Sequence, residues 1–142
     1  MIDGIPVIDG VVHPYNLDAD NEAQPAAAVI REIVYESVIR AARPGYVVGR
    51  EDFFVDWSVE EMANLLFLES DIDLAVNHVL PVYAFRDGLC SLEKAIEAQQ
   101  RWPDRFVTYC GVDPMLGEAA MEELERQVEP VAPVGLKLYP NM

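Results

Sequence analysis

The chain has 142 residues, of which 51% are hydrophobic, and this is enough for the core of one domain. Its formal net charge is -15, from 10 basic and 25 acidic residues, which argues against nucleic acid or an anionic membrane surface as a partner, because both require a basic patch. No apolar run approaches the roughly 20 residues of a membrane span, and the N-terminus lacks the pattern of a signal peptide, so we expect a cytoplasmic protein.

The first predicted element is a short apolar run at residues 6–14, whose length fits a buried strand. Asp9 and Gly10 interrupt the run, and His13 lies at its C-terminal end, directly before Pro14. Parallel α/β folds present their functional side chains at the C-terminal ends of the strands. His13 is therefore the first candidate functional residue.

A helix is predicted next, at residues 26–41, where apolar residues recur at helical spacing and Asp20 or Asn21 could provide the N-cap. The stripe expected to face the core consists of Ala26, Val29, Ile30, Ile33, Val34, Ser37, Val38 and Ala41. Residues 46–57 have no clear period. Their aromatic side chains are expected to pack, with the lining of a pocket or the covering of a rim as the alternative.

The remaining sequence alternates predicted helices and strands. Ser58 and Glu61 form a capping-box pattern that predicts the start of a helix. In the last helix of the chain, Met121, Leu124 and Val128 are expected to face inward. The predicted helices lie at about 59–69, 92–102 and 118–129, and the predicted strands at 72–81, 105–112 and 134–140.

Strands that alternate with helices imply right-handed βαβ units and a parallel sheet. No glycine-rich phosphate-binding motif follows any of the strands, so nothing indicates a nucleotide site. Cys90 and Cys110 have neither a disulfide-rich nor a zinc-ribbon spacing and are expected to be reduced and buried. The residues at the C-terminal strand ends, which should share one rim, are His13, His78, Asp113, Tyr139 and Asn141.

The strand at 7–14 resembles the first strand of the metal-dependent amidohydrolase superfamily, in particular the branch related to aminocarboxymuconate-semialdehyde decarboxylase. That branch usually reads Ile-Asp-x-His-x-His at this place. Further segments resemble its second, third and fourth strands in the expected order, at 74–81, 105–114 and 135–140. The resemblance therefore extends over nearly the whole chain.

This resemblance implies a TIM-type (β/α)8 barrel, of which residues 1–142 supply about the first four β/α units. It also implies a divalent metal, with zinc as the first expectation, at the C-terminal mouth, where it would activate water or polarise a substrate oxygen. His13 matches the family motif as a metal ligand. His78, Lys137, Tyr139 and Asp113 are the candidates for substrate binding, and Asp113 has turn capping as its alternative role.

Two departures from the family motif affect these expectations. The first of the paired histidines falls on Val11, which cannot ligate a metal. Asp9 is the candidate replacement, because strict alternation would place it on the same strand face as His13, and weakened or lost metal binding is the alternative. The second departure is length, since an eight-stranded barrel needs about 250 residues.

A half barrel left alone would expose an unpaired strand at each edge and its apolar interior. The expected partner is therefore a second, different protein chain that supplies the remaining barrel strands. A homodimer of half barrels is the alternative, although it would repeat the same incomplete set of ligands.

Lys137 has two interpretations. Some relatives, such as phosphotriesterase and dihydroorotase, have a carboxylated lysine on the fourth strand that bridges two metals. The sequence at 135–140 is more similar to the decarboxylase branch, in which a lysine here is not generally a bridging ligand. An ordinary active-site or structural cation is therefore the preferred interpretation.

The expected function is that of a metal-dependent hydrolase of amide, ester or related bonds, or of a decarboxylase, acting on a small organic acid. The chain would be one subunit of a split enzyme and active only with its completing subunit. The alternative is a non-catalytic half-barrel subunit that supports or regulates a catalytic partner. Val11 is the residue that keeps this alternative open.

Overall fold

The computed structural model describes residues 1–140 and shows a mixed α/β fold with a curled, half-barrel sheet of four parallel strands. The alternation of strands and helices predicted from the sequence is confirmed. Asn141 lies outside the described residues. The elements in chain order are β1 (Ile8–Val12), α1 (Ala26–Ala41), α2 (Arg50–Phe53), α3 (Val59–Phe67), β2 (Leu74–His78), α4 (Leu92–Arg101), β3 (Phe106–Val112), α5 (Glu118–Val131) and β4 (Gly135–Leu138), with short 3-10 helices at Ala19–Asn21 and Pro114–Leu116.

The strands follow one another across the sheet in sequence order, β1-β2-β3-β4, and every neighbouring pair is parallel. Within residues 1–140, β1 and β4 therefore have one hydrogen-bonded neighbour each. All four strands point the same way, so their C-terminal ends lie along one edge. Such a sheet is consistent with part of a barrel.

The two faces of the sheet have different environments. Ala75 of β2 pairs with Phe106 of β3, and both pack against the helix layer. The core on this side is formed by Val12, Val59, Met62, Ala63, Ala75, Ala98 and Phe106. Because side chains alternate along a strand, His78 and Tyr109, which also pair, lie on the opposite, concave face.

The helix α1 buries only part of the stripe predicted from its sequence, in which Ile30 and Val34 pack against the core. Val29 and Ile33 are each 60% exposed, whereas Ala27 and Tyr35 are buried. The reason is that α1 packs against the loops beyond the strand ends, around Leu17, Leu80, Val82, Phe85 and Leu89, and not against the sheet. The predicted cap is also wrong, since α1 begins after Pro25 without a side-chain cap.

The helix α5 differs from its predicted orientation in a similar way. Leu124 packs inward as expected, but Met121 and Val128 are exposed and Gln127 is fully buried. The Gln127 amide donates to the Gly111 carbonyl at 2.9 Å and accepts from the Gly111 N–H at 3.0 Å. These two hydrogen bonds satisfy buried backbone groups, so a polar residue takes the inward position.

The structure bears on the predictions for the cysteines and for membrane-spanning segments. Cys90 and Cys110 are both free thiols and both buried, as predicted. Among residues 1–140, no helix is long and apolar enough to cross a membrane.

The N-terminus of α3 confirms the predicted capping box. Ser58 Oγ accepts the Glu61 N–H at 3.1 Å, and the Glu61 carboxylate accepts the Ser58 N–H at 3.0 Å. We expect Ser58→Ala to lower the free energy of unfolding by about 1 kcal/mol, because the Glu61 N–H loses its side-chain acceptor. Urea denaturation measures the change.

The matched control for Ser58→Ala is Ser37→Ala, at an exposed position inside α1 where the hydroxyl donates to the Ile33 carbonyl. This control should leave stability unchanged or raise it slightly, since alanine is the better helix former. Equal urea midpoints for the two variants would contradict the capping assignment.

Candidate functional site

Three of the predicted site residues come together on the concave face, near the C-terminal edge of the sheet. His13 follows β1, His78 ends β2 and Lys137 lies in β4. The ring centroids of His13 and His78 are 5.4 Å apart, and Lys137 Nζ lies 3.2 Å from His13 Nε2. We call these three residues, together with Tyr15, the His-Lys cluster.

Hydrogen bonding fixes the tautomer of His13. A lysine ammonium can only donate, so Lys137 donates to His13 Nε2, and the proton of the neutral imidazole is on Nδ1. That Nδ1–H lies 3.3 Å from the Tyr15 hydroxyl oxygen, which accepts it. The Tyr15 ring also stacks on the imidazole, with centroids 5.2 Å apart and an interplanar angle of 12°. Tyr15 and Lys137 therefore hold the imidazole from both nitrogens.

The pKa of His13 indicates that its imidazole is neutral. Burial, assisted by the nearby Lys137 and His78, lowers the pKa of His13 to about 4. Burial also lowers the pKa of Lys137 below its ordinary value. His13 is therefore neutral at pH 7, and its Nε2 lone pair is available to accept from Lys137.

His78 is the most buried member of the cluster, with 5% of its surface exposed. Its Nε2 donates to the Gly10 carbonyl at 3.0 Å, so Nδ1 carries a lone pair. Within residues 1–140, this Nδ1 is buried without a hydrogen-bond partner. Burial lowers the pKa of His78, which is partly opposed by the bond to Gly10. Nδ1 is thus an unused acceptor beside His13.

Tyr139 and Asp113 are the other two residues predicted to bind substrate. Tyr139 is 46% exposed, and its ring centre lies 4.8 Å from Lys137 Nζ, in cation–π contact. Asp113 is 3% exposed, and its carboxylate accepts the Met115 N–H at 2.9 Å, which caps the short helix after β3. This supports the capping role that the sequence offered as the alternative, and substrate binding by Asp113 stays a prediction.

Asp9 does not share a face with His13. In the ladder with β2, Asp9 pairs with Ala75 and Val12 pairs with Asn77, so β1 has one extra residue between these pairs. The irregularity breaks the strict alternation on which the prediction relied. The Asp9 carboxylate instead accepts the Val11 N–H at 3.0 Å. The prediction that Asp9 shares a strand face with His13 is therefore wrong, and Asp9 as a metal ligand stays a prediction.

Sequence reasoning missed two aromatic members of the site. Tyr15 lies two residues after His13, and this spacing is a signal that it can reach the same side. Tyr109 lies opposite His78 in the ladder, with ring centroids 5.0 Å apart. A Cβ at Gly135 would lie 2.5 Å from the Tyr109 ring, so the glycine leaves the room that this ring occupies.

The residues of this chain do not by themselves fit the divalent metal that the resemblance implied. The lone pair of His13 Nε2 accepts from Lys137, Asp9 faces elsewhere and Val11 cannot ligate. His78 Nδ1 is the one imidazole nitrogen with a free lone pair. No group of three or more His, Cys, Asp or Glu side chains that could hold a metal is found within residues 1–140. Zinc binding stays a prediction.

A cavity of about 640 Å³ lies outside the His-Lys cluster, along the start of α4. Its lining includes Asp56, Cys90 and Lys94, and the Lys94 ammonium bonds to Asp56 and to the Trp57 carbonyl. Burial raises the pKa of the Cys90 thiol, so this group is not a nucleophile. We place the candidate site at the cluster, because His13, His78 and Lys137 lie near the C-terminal ends of the strands, where parallel β/α folds build their sites.

Comparison of the chain with models of protein families, with characterised proteins and with solved structures finds no match.

Proposed function

We propose that this chain forms half of a barrel-shaped hydrolase or carboxy-lyase that acts on a small organic acid. The observation that carries the proposal is the convergence of His13, His78 and Lys137, from three different strands, at the C-terminal edge of the concave face. Parallel β/α folds build their active sites at this edge. A cation beside two imidazoles fits a substrate that carries a carboxylate.

Each residue has a distinct role in this proposal. Lys137 binds the carboxylate and neutralises its charge, while His13 and Tyr15 hold Lys137 in place. His78 Nδ1 has a free lone pair and accepts a proton during the reaction. The Tyr139 ring shields one side of the ammonium. Whether the bond broken is an amide, an ester or a carbon–carboxylate bond depends on groups outside this chain.

The open sheet supports a completing partner. Within residues 1–140, β1 and β4 each have a free edge, and Leu136 and Leu138 of β4 are 45% and 55% exposed. Unpaired parallel edges and exposed apolar strand residues favour pairing with further strands. We propose that a completing unit pairs with these edges and closes the barrel over the His-Lys cluster.

The test is an activity screen of the chain purified together with its completing partner, using amides, esters and carboxylated aromatic acids. We expect turnover in one of these classes, and a loss of at least about 100-fold in His78→Gln, because a positioned general base contributes about this much. The control variant is Arg40→Gln, which removes an exposed charge in the last turn of α1. Turnover that is equal in His78→Gln and Arg40→Gln would contradict the proposed role.

A second candidate function is a non-catalytic half-barrel subunit that supports a catalytic partner. It is favoured by Val11, which is 58% exposed at the place where the family motif has a histidine. This candidate predicts that turnover by the complex is unaffected by both His78→Gln and Lys137→Met. The same screen therefore separates the two functions.

A further inference from the structure

We propose that the positive charge at the centre of this site is the Lys137 ammonium, and that it binds a substrate carboxylate without any divalent metal. The inference rests on the proposed function, which supplies an organic acid as ligand. It goes further by assigning to a lysine the electrostatic role that the family resemblance gives to zinc.

The first observation is that Lys137 has no carboxylate partner within residues 1–140. The chain has 25 acidic residues, and five of its ten basic residues pair with at least one carboxylate: Arg31, Arg50, Lys94, Arg101 and Arg126. Lys137 is one of the five without an ion pair in this part of the chain, and it lies on the concave face beside two imidazoles. No carboxylate oxygen of residues 1–140 lies within 4.0 Å of Lys137 Nζ. A half-buried cation left without an anion in so acidic a chain is suited to bind one from solution.

The second observation concerns the three N–H groups of the ammonium. One donates to His13 Nε2, and the ammonium also lies over the face of the Tyr139 ring. At least one N–H therefore has no acceptor within the described part of the chain. The hydrogen bond to His13 fixes the direction of the lysine side chain, so a carboxylate on the concave side meets an oriented donor.

The third observation is that the same contact excludes a metal from His13. A divalent cation on His13 Nε2 would have to displace Lys137 and would then lie beside another positive charge. Val11 stands where the family motif has a histidine, and the register shift in β1 turns Asp9 away from His13. Neither residue therefore supplies a ligand beside His13. The donor set of this strand thus favours the ammonium over a metal.

Binding of benzoate to the chain, isolated with any completing partner and treated with excess EDTA, tests the inference. His13 and His78 are the only histidines of the sequence, so with 13C labelling of this chain alone the C–H signals of their two imidazoles report on the cluster. We expect benzoate to shift the His13 signal saturably and benzamide, the uncharged analogue, to leave it unshifted. Lys137→Met should weaken benzoate binding by about 10- to 100-fold, the range for one charge-assisted hydrogen bond.

Two further variants make the result interpretable. Lys137→Arg keeps the positive charge and should retain benzoate binding within about tenfold, which shows that the fold survives substitution at this position. Arg40→Met removes an exposed charge of α1 and should bind benzoate as the wild type does. Equal affinity in Lys137→Met and Arg40→Met would overturn the assignment of Lys137.

The outcomes also separate this inference from the proposed function. Benzoate binding that appears only when Zn²⁺ is added would overturn the metal-free site and leave the organic-acid function in place. Absence of benzoate binding both with EDTA and with Zn²⁺ would overturn both. Saturable binding in EDTA that is lost in Lys137→Met supports both.

Discussion

Gly111→Ala is expected to destabilise the fold by at least about 3 kcal/mol, which is a large part of the stability of a typical domain. A Cβ at Gly111 would lie 2.0 Å from the Val79 carbonyl oxygen and 3.1 Å from its carbonyl carbon. These are backbone atoms next to β2, so a change of rotamer cannot relieve the overlap. The backbone movement needed to relieve the overlap would also disturb the two hydrogen bonds of Gln127 to Gly111. Urea denaturation, or the soluble fraction if the variant does not fold, gives the measurement.

The matched control for this substitution is Gly10→Ala in strand β1 of the same sheet. A Cβ there would have no heavy atom within 4 Å, so the same chemical change should alter the free energy of unfolding by less than about 0.5 kcal/mol. A Gly111→Ala variant as stable as Gly10→Ala would show that the Val79 carbonyl does not approach Gly111 this closely.

Acidification is expected to destabilise the protein through His13, by about 2 kcal/mol between pH 7 and pH 5. The pKa of His13 is about 4 in the folded protein and 6.5 when unfolded. Between these values the unfolded state binds more protons than the folded state. The free energy of unfolding therefore rises with pH across this window, and the stabilisation is lost as the pH falls through it. Burial of the imidazole is the main cause, followed by the charge of Lys137. Urea denaturation at the two pH values measures the change.

The variant His13→Gln isolates this contribution, because other groups titrate in the same range and glutamine does not. Its stability should depend on pH less steeply than that of the wild type, by about 2 kcal/mol over the interval. Lys137→Met should reduce the slope only in part, since it removes one of the smaller causes of the shift. A His13→Gln variant with the wild-type pH dependence would show that the imidazole is not buried in its neutral form.

Local patterns were the reliable part of the prediction from sequence. The Ser58 capping box acts within four residues, and the structure reproduces both of its hydrogen bonds. The strand ends at His13 and His78 could be located because apolar runs and the prolines that follow them are visible in the sequence. These signals depend on neighbours along the chain, so no knowledge of the packing was needed.

The orientation of the helices was less predictable. The sequences of α1 and α5 each contain an apolar stripe, but the side of each helix that packs against the core matches this stripe only in part. Gln127 faces inward because it satisfies the backbone of Gly111, a partner that lies 16 residues away and in another element. A count of apolar residues cannot anticipate this, because the cost of an unsatisfied buried N–H or C=O decides the orientation.

The sequence by itself determined the α/β class, the order of strands and helices, and the placement of His13 and His78 at the C-terminal ends of parallel strands. The tertiary structure brought Lys137 beside His13 and decided the chemistry of that group. The register shift in β1 turned Asp9 away, and the contact between Lys137 and His13 joins residues 124 positions apart. Such a contact depends on the curl of the sheet and on burial, which set distances and pKa values that no local pattern encodes.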